Sequence, residues 1–317
     1  MRHGRHWLTM ALAVLASHLA VAADPFHLFQ PVFSNGQLIV AAVIVDADKT
    51  GAADASAALQ KAMNGLQQHG GGNVFLPAGR YRLDHHLTIP HSVTLCGEWR
   101  RPEPGQPLSG TILLAYADRG NADGPPLLSA PPLGHANVYD LTIYYPEQSP
   151  SAPVPYPFSI EGAVAYVHRI TLVNSYQGIL MSQNSGGSVA EVYGTVLKRG
   201  VVLKSSCELC TCYRLRLNSD YWTRLPEAHM TADDAARVHA FVARELTGVQ
   251  VGKSDGLSFY DADVAEAHTP VVVKLEDDEQ KVMVAPRSST PAGTVRRDPS
   301  RTRPCGSSTV PPPAAPA

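Results

Sequence analysis

A surplus of positive charge is missing: 26 Lys and Arg stand against 28 Asp and Glu, a formal charge of −2. Neutralising phosphates requires clustered basic side chains, so a nucleic-acid partner is excluded as an expectation. Cysteine is scarce, with five in 317 residues, too few for a disulfide scaffold. Charged residues make up only 17%, below the usual quarter. No apolar run after the N-terminus is long enough to span a bilayer, and no phosphate-cradling glycine loop, dinucleotide fingerprint or GxSxG elbow is present. What the chain has instead is 25 Gly and 26 Pro scattered among 44% hydrophobic residues. That balance suits short strands joined by turns around a packed core.

The first residues carry Arg2, His3, Arg5 and His6, then an apolar run from Trp7 closing on Ala20-Val21-Ala22. A basic start, a short apolar stretch and small residues at its end describe a secretory signal peptide over 1–23. The mature protein is therefore expected to be secreted or periplasmic, with no membrane contact. At the other end, 282–317 is dense in Pro, Ser, Thr and Arg and has no apolar periodicity, so it is expected to be a disordered tail. The strand-like Val271-Val272-Val273 leads almost directly into that tail, and the repetitive region between is expected to be C-terminally incomplete.

Residues 46–98 are the most legible part. Asp54 or Ser56 is placed to cap a helix in which Ala57, Leu59, Ala62, Met63 and Leu66 recur near helical spacing, and Gly70-Gly71-Gly72 stops it. Short β runs follow at 74–76, 81–83, 87–89 and 93–95, each bounded by turn residues. These segments, DADKTGAADASAALQKAM, GGGNVFLPAGRYRL and LTIPHSVTLCGE, resemble the entry domain of the pectate-lyase-like superfamily, specifically of rhamnogalacturonase- and epimerase-like right-handed parallel β-helix proteins. The resemblance extends through YYPEQSPSAPVPYPF and LNSDYW to about Lys281. It implies a β-solenoid of the kind that acts on acidic or neutral polysaccharides outside the cell, in a superfamily that also includes phage tailspikes.

Internal periodicity supports a solenoid independently. VYDLTI, VHRITL, VAEVYG and CYRLRL begin at Val138, Val167, Val189 and Cys212, with Leu141, Ile170, Val192 and Leu215 in register behind them. The intervals of 29, 22 and 23 residues fit one coil each of a stacked repeat whose inward residues bury one another. The longer first interval takes up the Pro-rich loop at 146–157. The fold class expected for 24–281 is all-β, a right-handed parallel β-helix with an N-terminal capping helix and one helical insertion at about 232–246.

Asp140, Arg169, Glu191 and Arg214 share one place in successive coils and alternate in sign. With strands about 4.8 Å apart, they form either a solvent-facing ion ladder or a groove wall whose arginines recognise a uronic-acid chain. Around the insertion, Asp220, Asp255, Trp222 and Tyr260 make a sugar-stacking and acid-base neighbourhood. Glycoside hydrolysis needs two carboxyls, one of them a proton donor, and Asp220 and Asp255 are the candidates. Polyuronide elimination needs a base, often Arg or Lys in the resembled superfamily, with carboxylates or Ca²⁺ neutralising the substrate acid. Lys253 and Arg216 fit that role. Arg169, Arg214, Arg216, Trp222 and Tyr260 are the candidate substrate-binding residues. No cofactor is required, Ca²⁺ enters only for a lyase, and no metal ligands are assigned. Asp beside Gly or Asn is also ordinary turn chemistry. Cys207, Cys210 and Cys212 suggest a metal cluster but lack a fourth ligand, and read better as a local disulfide or buried thiols. The expected function is an exported protein acting on a polysaccharide as a glycoside hydrolase or lyase. A non-catalytic glycan-binding or structural β-helix is the alternative.

Overall fold

A computed structural model describes residues 30–34, 37–41, 43–132, 135–162, 164–182, 184–204, 207–252, 254–274 and 283–284. The signal-peptide segment, most of the Pro-rich tail and Lys253 lie outside them. The first described piece is an antiparallel hairpin of Gln30–Ser34 and Gln37–Ala41. From Val43 onward the strands join one sheet of 17, parallel except for the pair of Met283–Val284 with Val272 and Val273, while Asn184–Ser185 and Cys207–Glu208 form a separate short parallel pair.

Three faces recur in each coil. The first holds Gly72–Phe75, Val93–Cys96 and the beginning of Ala136–Tyr144. The second holds Gly79–Leu83, Thr111–Ala115 and the rest of Ala136–Tyr144. The third holds Leu87–Thr88, Leu128–Ala130 and Phe158–Gly162. Val164–Met181 and Ser188–Leu203 run through all three. Thr211–Leu217 and Ser258–Asp263 continue the first two faces, and Thr247–Val251 and Thr269–Val273 the third. The result is an all-β parallel solenoid, as the repeats require.

The register follows the sequence columns. Val138 pairs with Val167, Val167 with Val189 and Val189 with Cys212, while Leu141, Ile170, Val192 and Leu215 stack behind them. All eight are fully buried. Each such side chain withdrawn from water contributes about 1.5–3 kcal/mol, so the interior ladder is the main source of cohesion between coils.

Helix α1 (Ser56–Gln68) covers the start of the solenoid with Leu59, Met63 and Leu66. Ala55 is its N-cap, and Asp54 acts from one position further out, its Oδ1 accepting from the Ser56 amide and hydroxyl. Asp48 accepts from Thr50 and from the amides of Ala52 and Ala53. These bonds make it a turn clamp and hold its carboxyl down at about 2. The far end is different. Ser258–Asp263 pairs with Thr211–Leu217 on one side, and no strand among the described residues pairs with its other edge. Phe259 continues the interior column of Cys212, yet 37% of it is exposed.

The first and second faces meet at a sharp corner. Asp140, Arg169, Glu191, Arg214 and Asp261 occupy it in successive coils, and all five have φ between 54° and 61°. One left-handed residue between two extended ones turns the strand without a loop, a conformation that costs a side-chain-bearing residue about 1–2 kcal/mol. Gly194, where the chain leaves the second face, has φ 148°, and a Cβ there would lie 1.8 Å from the Leu172 carbonyl oxygen.

Two further helices interrupt the later coils, α2 (Asp220–Thr223) and α3 (Ala232–Glu245). Thr231 caps α3 in a reciprocal box with Asp234, as its position predicts. Gly248, just past the helix, does not cap it but lies inside Thr247–Val251, where a Cβ would approach the Pro270 carbonyl oxygen to 2.7 Å. The helix ends at Glu245 because Leu246 turns extended to rejoin the sheet.

Candidate functional site

The corner ladder is an ion ladder with its charges engaged. Arg169 holds Asp140 through two parallel bonds, Nε to Oδ1 at 2.5 Å and Nη2 to Oδ2 at 2.8 Å. Arg214 reaches Glu191 at 3.0 Å and Asp261 at 3.4 Å, and Arg216 reaches Asp261 at 2.5 Å. The Arg216 guanidinium holds the Asp261 carboxyl below its ordinary range. A ligand acid would have to displace these partners, so the three arginines expected to bind substrate are already paired.

Beside the corner, on the outside of the first face, Tyr139, His168, Ala190, Tyr213 and Tyr260 form a vertical column. Tyr260 is its most exposed member at 58%, and Tyr166 stands in the neighbouring column. Rings of this kind present flat apolar faces with polar edges. Trp222, expected to stack on sugar, is buried in the main core as part of α2. The aromatic side chain that α2 offers outward is Tyr221.

Asp220 and Asp255 lie at different corners. Asp255 is exposed in the turn between the third and first faces, where its carbonyl accepts from the Leu209 amide. Asp220 opens α2 just after the second face, 3.5 Å from Arg224 Nη1 and 3.9 Å from His239 Nε2. His239 projects from α3, and its Nδ1 meets the Ser219 hydroxyl. The same hydroxyl bonds to Glu266 Oε2 at 2.5 Å, and the Ser219 amide donates to that oxygen at 2.8 Å. A Ser219 hydroxyl donating to Glu266 requires the proton of the neutral imidazole on Nδ1, leaving Nε2 bare towards Asp220. Two carboxylates and an imidazole thus converge from α2, α3 and the turn before Thr269–Val273. His239 and Glu266 were missed in sequence because they stand 20 and 47 positions from Ser219 and no spacing rule connects them.

Against the outside of the second face, residues 100–109 and α2 enclose a cleft of ≈ 130 Å³. Thr142 and Thr171, consecutive in one outward column, form its floor, and Tyr221, Arg100 and Arg101 stand on its walls. Trp99 Nε1 donates to Thr171 Oγ1 at 2.8 Å, fixing the loop to the sheet. Behind the wall Tyr193, next in the column after Thr171, packs 5.8 Å from Trp99 and 6.2 Å from Tyr221. Burial pushes the Tyr221 hydroxyl up to about 12, so it stays a protonated donor.

Among the described residues no group of three His, Cys, Asp or Glu side chains is placed to hold a metal ion. Cys207, Cys210 and Cys212 are buried thiols. The hydrogen bond from Cys207 brings Cys210 down to about 7, and burial takes Cys212 up to about 12.

Residues 42–114 match the family described as Rhamnogalacturonase A/epimerase, pectate lyase-like. The match covers the capping helix and the first coils, where the sequence resemblance was concentrated. No curated protein matches the chain. Among solved structures, ORF18 of Geobacillus virus E2 is similar at 13% identity and TM-score 0.36, over 74% of this chain and 49% of the viral one. The chain thus spans about half the length of that protein. A putative glycosyl hydrolase from Parabacteroides merdae is similar at 11% identity and TM-score 0.34, over 73% and 92% of the two chains. The A-module of a mannuronan C-5 epimerase from Azotobacter vinelandii is similar at 17% identity and TM-score 0.36, over 69% and 68%.

Proposed function

We propose that the chain is an exported carbohydrate-active protein that cleaves a polysaccharide, by glycoside hydrolysis or by elimination. The observation that carries this reading is the adjacency of two features on α2: Asp220 faces an imidazole and, through it, a second carboxylate, while Tyr221 lines a cleft of sugar-ring dimensions. Hydrolysis needs a proton donor at the glycosidic oxygen and a base for water. Asp220 and His239, 3.9 Å apart, are too close to flank a scissile bond as separate acid and base and act as one proton-transfer pair, with Ser219 and Glu266 orienting the ring. In an elimination His239 takes the base role, because Arg216 is committed to Asp261. Export rests on the basic and apolar pattern of residues 1–23.

The alternative, glycan binding without turnover, draws on the separation of Asp220 from Asp255 and on the ring column ending at Tyr260. Incubating the full chain with pectate, alginate and a neutral glucan, and following reducing ends and unsaturated uronide absorbance, separates the readings. New reducing ends alone indicate hydrolysis, and unsaturated ends indicate elimination. Saturable retention on one polymer with neither product contradicts the catalytic reading.

A further inference from the structure

The two helices inserted in the later coils are capped in different ways. At α3 the residue before the helix closes it in the ordinary manner: the Thr231 hydroxyl accepts from the Asp234 amide, three positions on, at 3.1 Å. Ser219 holds the same position before α2, yet its side chain makes no capping bond. Its hydroxyl is turned the other way, donating to Glu266 Oε2 at 2.5 Å and accepting from His239 Nδ1. The residue best suited to close the helix is diverted to the imidazole.

The capping oxygen comes instead from the neighbouring coil. Thr195 follows Gly194, where the chain leaves the second face, and its Oγ1 accepts from the Trp222 amide at 3.0 Å. Trp222 is the third residue of α2, and its amide is one that a capping Ser219 would ordinarily serve. That amide also reaches the Ser219 carbonyl oxygen, at a longer 3.2 Å. The Thr195 proton goes to the Asn218 carbonyl oxygen at 2.8 Å, with the Ser219 carbonyl oxygen 3.1 Å away. Thr195 is fully buried, so bulk water does not compete for these bonds. The Asn218 carboxamide in turn accepts from the Asp220 amide at 3.1 Å. One hydroxyl thus grips both sides of the turn that carries Ser219 and Asp220, from 24 and 27 positions away.

We propose that Thr195 is a positioning residue: by capping α2 from the neighbouring coil it releases the Ser219 hydroxyl to hold His239 in the Nδ1–H tautomer, with Nε2 left bare towards Asp220. The proposal rests on the proton-transfer reading of Asp220 and His239 above and assigns the residue that sets the ring's proton. Which ring nitrogen carries that proton is decided by the hydrogen bond the other group offers. The nearby carboxylates do not decide it, because Asp220 lies 3.9 Å from Nε2 and Glu266 3.9 Å from Nδ1. The Ser219 contact breaks the tie. Without the Thr195 hydroxyl, the Trp222 amide draws Ser219 back to the capping role, the bond to Nδ1 opens, and both tautomers become populated.

The test is nitrogen NMR of the full chain carrying isotope-labelled histidine, in alkaline buffer where imidazoles are neutral. His239, assigned by the signal lost in His239→Gln, is expected in the Nδ1–H form in the wild type. Thr195→Val, which keeps the side-chain shape and removes the hydroxyl, should give a mixture of both tautomers. Thr195→Ser, which keeps the hydroxyl, should give the wild-type signal. A wild-type His239 protonated on Nε2 overturns the proposal before any variant is made, and so does an unchanged tautomer in folded Thr195→Val. Turnover on polysaccharide, read in parallel, should show kcat lowered up to about a hundredfold in Thr195→Val, with KM unchanged and Thr195→Ser close to wild type. The expected tautomers with no turnover on any polymer leave the Thr195 assignment standing and remove the catalytic reading alone. Turnover with a tautomer indifferent to Thr195 removes the positioning role alone.

Discussion

Asp140 and Arg169, 29 positions apart in sequence, are clamped by two hydrogen bonds at the corner of adjacent coils, and both residues are in the left-handed conformation. The pair is partly buried, with 13% of the Asp140 side chain exposed. Arg169→Ala is expected to destabilise by about 1.5–3 kcal/mol, the range for hydrogen bonds to charged groups. Urea unfolding of the single and double variants reads the coupling, and a cycle that closes to zero contradicts the clamp.

The left-handed corner separates glycine from alanine. Glu191 has φ 56° and loses the same ion pair to Arg214 in either substitution. Glu191→Gly should therefore be more stable than Glu191→Ala by about 1 kcal/mol, through relief of strain. Equal thermal midpoints would show that the corner is not strained there.

Interior stacking predicts a steeper cost. Ile170 is fully buried between Leu141 and Val192, and Ile170→Ala is expected to cost about 2–5 kcal/mol by creating a cavity. Tyr260→Ala on the exposed outer column should fall within about 0.5 kcal/mol of wild type. Denaturant midpoints measure both.

Acid should loosen the entry to the solenoid. The Asp48 carboxyl is held at about 2, against an ordinary 3.8, by the amides and hydroxyl it accepts from. A group with a depressed folded value contributes stability that is fully present above the unfolded value and is lost as pH falls through the folded one. The loss belongs between about pH 4 and pH 2, and Asp48→Asn should flatten the stability curve there. An unchanged acid limb in the variant contradicts the clamp.

The coils were legible in sequence because burial repeats: Val138, Val167, Val189 and Cys212 align by spacing alone, and the structure pairs them in that register. The alternating charges of Asp140, Arg169, Glu191 and Arg214 were legible for the same reason. Their left-handed backbone was not, since glycine, asparagine or aspartate usually signals that conformation and arginine or glutamate does not. Asp220 was visible as an acid near aromatics. Its partners His239 and Glu266 come from α3 and a later turn, and only tertiary closure brings them together. Trp222 misled because a tryptophan beside acids reads alike whether it faces sugar or core. The cleft loop of Arg100 and Arg101 follows the entry motif immediately, but nothing local shows that it folds back over Thr142 and Thr171.

The central claim is that Asp220, through His239, performs proton transfer on a polysaccharide. Initial rates of product formation on pectate and alginate, compared between the wild-type chain and Asp220→Asn at equal folded concentration, test it most directly. General acid-base catalysis predicts a loss of about 10²–10⁴-fold in the variant. Equal rates in the two proteins, or no product from well-folded wild type on any polymer, would contradict it.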